Sequence, residues 1–286
     1  MGDLLVIALV TVLLPLAVWS QAAAEWVALI LILVAGIPHG AFDLRVAEAK
    51  WLPTLHSRLA VLVVYISVGA AMSALCLIAP ELGLSIFLIV SVLHFAEGEG
   101  RGSTRAVSAL FGCGAILCPI AFHTDDAAGY LAFFITPERF EQISPALLWA
   151  ARVVYVAALS FVGLDLMKGN RSDGLQRLLC LAAWVFLPPL SGFAVWFIGR
   201  HSRQHLVQCR GLFQGARFGI PLDFLVISIL AVALIVPLSM RFNLRDIHEL
   251  FAASIVLIAG LTLPHMLVSQ DLPRTLQRLR SQGSFR

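Results

Sequence analysis

Eight separate stretches of this chain are apolar over a length suited to crossing a lipid bilayer, and that repetition limits its fold more than any single motif does. They lie at about 4 to 19, 25 to 43, 59 to 79, 81 to 97, 105 to 123, 145 to 167, 219 to 239 and 249 to 268. A helix needs about 20 residues to cross some 30 Å of hydrocarbon, and backbone groups at that depth must be paired internally. The expected fold is therefore all-α, a polytopic transmembrane bundle of about 8–10 membrane segments forming one domain over residues 1–286. Composition agrees: 59% of residues are hydrophobic and 13% are charged, far from the balance of a soluble globular chain. The net charge of +3 is small and the basic residues lie between apolar runs, so they report topology, and no nucleic-acid partner is expected. The first run lacks a basic leader and reads as a retained helix. None of the cysteines has CxxC spacing, which points to packing roles for Cys76, Cys113, Cys118, Cys180 and Cys209.

One further region, 175 to 211, contains Pro188-Pro189, a pair that a helix interior tolerates badly. It reads either as one kinked helix or as two segments, roughly 175 to 187 and 190 to 210. Charge favours two. With the N-terminus inside, the Lys and Arg residues at 45, 50, 58, 101, 105, 168, 171 and 177 are cytoplasmic and only Arg139 is outside. A single helix would place Arg200, Arg203, Arg210, Arg217 and the four C-terminal arginines on the wrong face. The expectation is a multi-pass protein of the cell's inner (cytoplasmic) membrane with both termini cytoplasmic. The greasy piece from Tyr130 to Ile135 is expected to lie in the interface.

The second segment carries the principal chemical feature, FAVWFIGRHSRQHLVQ, Phe193 to Gln208. In a helix His201 and His205 share a face with side chains about 5–6 Å apart, close enough for one metal ion. His39, His94 and His265 lie about 13 to 16 residues into three other apolar runs, and two segments in place of one bring His201 to their depth. An intramembrane histidine is a functional-site hypothesis by default. Each alone is equally well read as an interhelical hydrogen-bonder; together they suggest a shared metal centre. Asp43, four residues after His39, and Glu97, three after His94, are candidate acceptors for the second ring N–H of a ligand, or simply helix-end residues. Pro38 and Pro264 precede His39 and His265 and would bend their helices. His56, His123 and His248 are expected at the surface.

All-imidazole ligation suits iron, copper, zinc or nickel rather than magnesium or calcium, and the ligand list alone does not choose among the four. There is no HExxH, which weighs against a zinc protease of that type, and the histidine boxes of a di-iron desaturase are missing. A bis-histidine haem protein, a membrane metal transporter with a histidine transit site and a rhodopsin assembly factor remain alternatives.

Four blocks in order, PHGAFD at 38 to 43, SVLHFAEGE at 91 to 99, WFIGRHSRQH at 196 to 205 and LPHM around His265, resemble the Brp/Blh family of membrane-integral β-carotene 15,15′-dioxygenases over nearly the whole chain. The resemblance implies an Fe(2+) enzyme that cleaves the central double bond of β-carotene with O2 to give two retinal molecules, commonly for a retinal-binding rhodopsin. It matches the family's iron-binding histidines to His39, His94, His201 and His205, with His265 as a candidate fifth. The second block departs from the family's HFGE followed by Ala-Asp: Ala96 replaces the glycine and Gly98-Glu99 the final pair. That change lies beside the site and leaves another carotenoid or apocarotenoid as an alternative substrate. A carotenoid dissolves in the bilayer, so a site at membrane depth suits it, and Phe42, Phe95, Trp196 and Phe197 are the candidate residues for lining its channel.

Overall fold

The computed structural model describes residues 2–43, 46–47, 55–97, 105–209, 228–229, 233 and 235–269, and the side chains at 2–3, 37–39, 55–58, 97, 105, 208–209 and 235 lie outside the described residues. Every regular element among the described residues is helical. In chain order these are α1 (Gly2–Trp19), α2 (Gln21–Gly40), α3 (Leu55–Ile78), α4 (Pro80–Glu97), α5 (Arg105–Phe122), α6 (Thr124–Leu131), α7 (Pro137–Met167) and α8 (Arg171–Phe186). Then follow α9 (Pro189–Trp196), a π-helical turn (Phe197–Ser202), α10 (Arg203–Cys209), α11 (Ile235–Leu238) and α12 (Ile247–Ser269).

The connections follow from local chemistry. Ser20 separates α1 from α2 and its hydroxyl accepts from the Ala23 N–H at 3.2 Å, an N-cap. Pro80 opens α4 where an N–H would have had no helical partner. α7 begins eight residues before the expected 145, because Thr136 caps it by accepting from the Arg139 N–H at 3.3 Å and Pro137 occupies its first position. The chain leaves α7 through Gly169, whose φ of 83° is the left-handed conformation glycine adopts most readily.

Three helices are long and apolar enough to cross a membrane: Leu59–Ile78, Pro137–Met167 and Ile247–Ser269. A fourth candidate is the pair Ala106–Phe122 and Thr124–Leu131, bent by 103°, while Leu4–Trp19, Gln21–Gly36 and Pro80–Ala96 are shorter apolar helices. The described residues thus give three or four full-length candidates where the sequence suggests 8–10 segments, and most of the run at 219 to 239 lies outside the description. The piece from Tyr130 to Ile135 packs against the bundle. α6 turns back toward α12, and Ala127, Tyr130, Leu131 and Phe134 are buried.

Two large hydrophobic clusters make up most of the interior among the described residues. One joins α1, α2, α5, α7, α8 and α9 around Phe111, Trp184 and Trp196; the other joins α3, α4, α6 and α12 around Leu84, Phe87 and Val256. α12 is the central element, with 56% of its span buried, against 11% for α3 and 17% for α7 at the periphery. Small residues allow the closest approaches, as expected where helices pack in lipid. A Cβ on Gly69 of α3 would stand 2.6 Å from the Gly260 carbonyl oxygen of α12. Pro264 has no N–H to give that carbonyl, so the α3 backbone packs where α12 has lost a hydrogen bond.

Candidate active site

The Pro188-Pro189 break is real. Leu187 is extended, with φ −103° and ψ 151°, and the helix restarts with Pro189 at its first position. α8 and α9 then pack as an antiparallel pair, so close that a Cβ on Gly192 would meet the Ala183 carbonyl oxygen at 2.9 Å. The free N–H groups at the start of α9 are met from another helix: the buried Glu25 carboxylate of α2 accepts from Leu190 N at 3.3 Å and Ser191 N at 3.1 Å.

Past Trp196 the helix widens into the π turn, a form that recurs as a single turn at functional sites. Its wider repeat brings residues four and five apart to the same place. Trp196 and Phe197 both stack on the His201 ring, at 5.6 Å and 21° and at 5.7 Å and 20°, and Phe95 meets it edge-on at 4.6 Å. Contacts to three helices tether the turn: buried Arg200 donates to Gln176 of α8 at 3.2 Å and pairs with Asp173 of the same helix at 3.6 Å, Ser202 donates to the Ala35 carbonyl of α2 at 2.9 Å, and Gly199 packs on Val6 of α1.

The histidines from distant segments meet at this turn. His94 of α4 and His201 present their Nε2 atoms 3.1 Å apart. The His94 ring lies 4.7 Å from that of His265 on α12, and His265 lies 5.1 Å from His205 on α10. All four are buried. His39 is in the last turn of α2, between Gly36, which faces the Phe197 ring, and Gly40, which faces His265; its side chain lies outside the described residues. The Glu97 side chain, at the end of α4, lies outside them too.

Asp43 is buried, and among the described residues it pairs with His265 of α12. Its Oδ1 accepts from His265 Nδ1 at 2.7 Å and its Oδ2 accepts from the Tyr65 hydroxyl of α3, also at 2.7 Å. A carboxylate that accepts from Nδ1–H fixes this tautomer, so the lone pair that could bind a metal is on Nε2. Tyr65 escaped the sequence reading because it sits alone in an apolar run with no spacing that ties it to any histidine.

A cavity of about 400 Å³ runs from this cluster into the bundle. His94, His265, Asp43 and Tyr65 form one end, and Leu190, Tyr130 and Phe251 line its far part. Phe251 and His265 are fourteen residues apart on α12, so the cavity reaches about 21 Å along that helix. Phe95 and Phe197 are on its wall. Trp196 and Phe42 are fully buried but are not among its lining residues; Trp196 instead backs His201. Ser91, one turn before His94, adds a hydroxyl to the wall. His248 is at the protein surface, as expected, and its ring packs against Tyr130 at 4.9 Å; His56 lies outside the described side chains.

Among the described residues no three His, Cys, Asp or Glu side chains are arranged to hold a metal ion together. The donor chemistry nevertheless fits one. Two ligand nitrogens about 2.0–2.1 Å from one ion stand roughly 3 Å apart, as the Nε2 atoms of His94 and His201 do at 3.1 Å.

Fold and site together define an all-helical membrane bundle with an apolar chamber that ends in buried imidazoles. The chain belongs to the β-carotene 15,15′-dioxygenase family, whose profile matches residues 30–272. It is similar to a β-carotene 15,15′-dioxygenase from uncultured marine bacterium 66A03, at 26% identity over 196 residues, which cover 63% of this chain and 68% of that protein. No solved structure matches it.

Proposed function

We propose that the protein is an iron(II)-dependent dioxygenase that cleaves the central 15,15′ double bond of β-carotene with O2 to give two retinal molecules. The observation that carries this reading is the convergence of His94, His201, His205 and His265, of which His94 and His265 line one end of a long apolar cavity. His39, His94, His201 and His205 would hold the iron, with His265 as a fifth ligand; Glu97 would support the ligands from the end of α4. Iron(II), when bound, supplies the activation of O2 that a closed-shell polyene and triplet O2 need in order to react.

The protein's own residues do the rest. The stacked Trp196 and Phe197 rings and the edge of Phe95 fix the plane of His201 and keep water from it. Asp43 accepts from His265 Nδ1, which leaves the ring's lone pair on Nε2. Phe95 and Phe197 lie along the polyene, with Trp196 behind them and Phe42 packing at the end of α2. The cavity's apolar wall makes binding a transfer from one hydrocarbon environment to another, so specificity rests on shape more than on hydrophobic gain. The enzyme acts within the inner membrane, with its termini in the cytoplasm, and passes retinal to a rhodopsin.

Expression in bacteria that accumulate β-carotene tests the reading. The expected result is loss of carotenoid colour with appearance of retinal under oxygen. Colour that persists without retinal, in cells that hold well-folded protein, would overturn it.

A further inference from the structure

The cavity has a side facing lipid. Leu62 of α3 lines it and is 44% exposed, and Leu59 and Ile66, one turn to either side of it and not on the cavity wall, are 54% and 59% exposed within the apolar span Leu59–Ile78. One residue thus borders both the chamber and the hydrocarbon. The neighbouring wall comes from Val61 and Tyr65 on α3 and from Gly40 and Ala41 at the end of α2. Among the described residues α2 and α3 do not pack along each other; each is held by α12 instead. Among the described residues the hydrogen bond from Tyr65 to Asp43 joins them there, and Gly40 puts no side chain into the gap.

We propose that the gap between α2 and α3 is a lateral portal through which a long apolar polyene passes from the bilayer to the histidine end of the cavity, with the Tyr65–Asp43 hydrogen bond as its latch. This rests on the carotenoid reading of the cavity. A ligand dissolved in hydrocarbon reaches such an opening without crossing water, which would expose its whole apolar surface. Tyr65 lies one turn from Leu62 on the same helix face, so a polyene that slides past Leu62 meets the latch next. Opening it breaks one hydrogen bond, a net cost of about 0.5–1.5 kcal/mol. Asp43 keeps its second oxygen on His265 meanwhile, so the imidazole stays oriented while the portal is open.

The test follows carotenoid uptake by metal-free protein in lipid nanodiscs without oxygen, read as quenching of tryptophan fluorescence by the polyene. Leu62→Trp should slow uptake at least tenfold. Val153→Trp, on the lipid-facing side of α7 where residue 153 is 66% exposed, should leave it unchanged. Tyr65→Phe should speed both uptake and release by about two- to tenfold at unchanged equilibrium affinity, the signature of a latch rather than of a binding contact. If Leu62→Trp does not fold, Leu62→Cys carrying a bulky apolar maleimide, attached after folding, makes the same comparison. Uptake at the wild-type rate with the portal blocked overturns the portal and leaves the carotenoid reading standing. A wild-type protein that takes up no carotenoid overturns that reading, and the portal with it.

Discussion

Replacing Asp43 with alanine removes two hydrogen bonds at once, and its cost follows from the geometry. Asp43 accepts from His265 Nδ1 and from Tyr65 Oη, both at 2.7 Å, and it is 4% exposed. Without the carboxylate, two donors lose their acceptor inside the protein. Each such loss costs about 1–3 kcal/mol, so Asp43→Ala should lower unfolding stability by about 2–6 kcal/mol. Asp43→Asn keeps a carbonyl oxygen for His265 and an N–H that Tyr65 Oη can accept, so its cost should be about 1–2 kcal/mol. Partners of this kind also orient ligands, and their loss typically weakens metal binding by about 10–100-fold. The assay is denaturant unfolding of the metal-free protein in detergent together with iron(II) titration under anaerobic conditions. A double-mutant cycle with His265→Ala isolates the pair, with an expected coupling of about 1–3 kcal/mol. Stability of Asp43→Ala within about 0.5 kcal/mol of wild type, or zero coupling in the cycle, would refute the reasoning, because surface substitutions alone give effects that small.

Three other outcomes follow. Gly260→Ala should destabilise the bundle by about 1–3 kcal/mol, read as a lower midpoint of thermal unfolding, because its new methyl would collide with Ser73 Oγ and stand 2.9 Å from the Gly69 carbonyl oxygen. Glu25→Ala leaves the Leu190 and Ser191 N–H groups of α9 without their acceptor, at a cost of about 1–2 kcal/mol in the same measurement. Phe197→Ala strips one face of His201 and opens the cavity wall; retinal formation should fall, and the unfolding free energy should drop by about 3–5 kcal/mol.

Much of this architecture is legible in the residues themselves. Pro188-Pro189 marks the break because two adjacent prolines leave a helix no way through, and the structure places the turn there. The five histidines stand out because an imidazole in an apolar run has no ordinary reason to be there, and the four whose side chains are described, His94, His201, His205 and His265, meet. The π turn is not legible: FIGRHS has the propensities of a plain helix, and the wider turn is held by Arg200 to Gln176, Ser202 to Ala35 and Gly199 against Val6, all long-range. The partner of Asp43 is hidden for the same reason. Spacing points to His39, whose side chain lies outside the described residues, and nothing local announces His265, which α12 brings in from the far end of the chain. Tyr130 reads as interfacial because its segment is short and greasy, yet the 103° bend after α5 folds it into the core. Local pattern thus reports depth and breaks well, and it is blind to which helices become neighbours.

X-ray absorption at the iron edge, on protein purified and reconstituted anaerobically with iron(II), addresses the central claim most directly. One iron per chain with a first shell dominated by imidazole nitrogen, losing nitrogen scatterers in His94→Ala and in His201→Ala, is the predicted result. Folded protein that binds no iron, or iron whose spectrum is the same in wild type and both variants, would contradict a site built from these histidines.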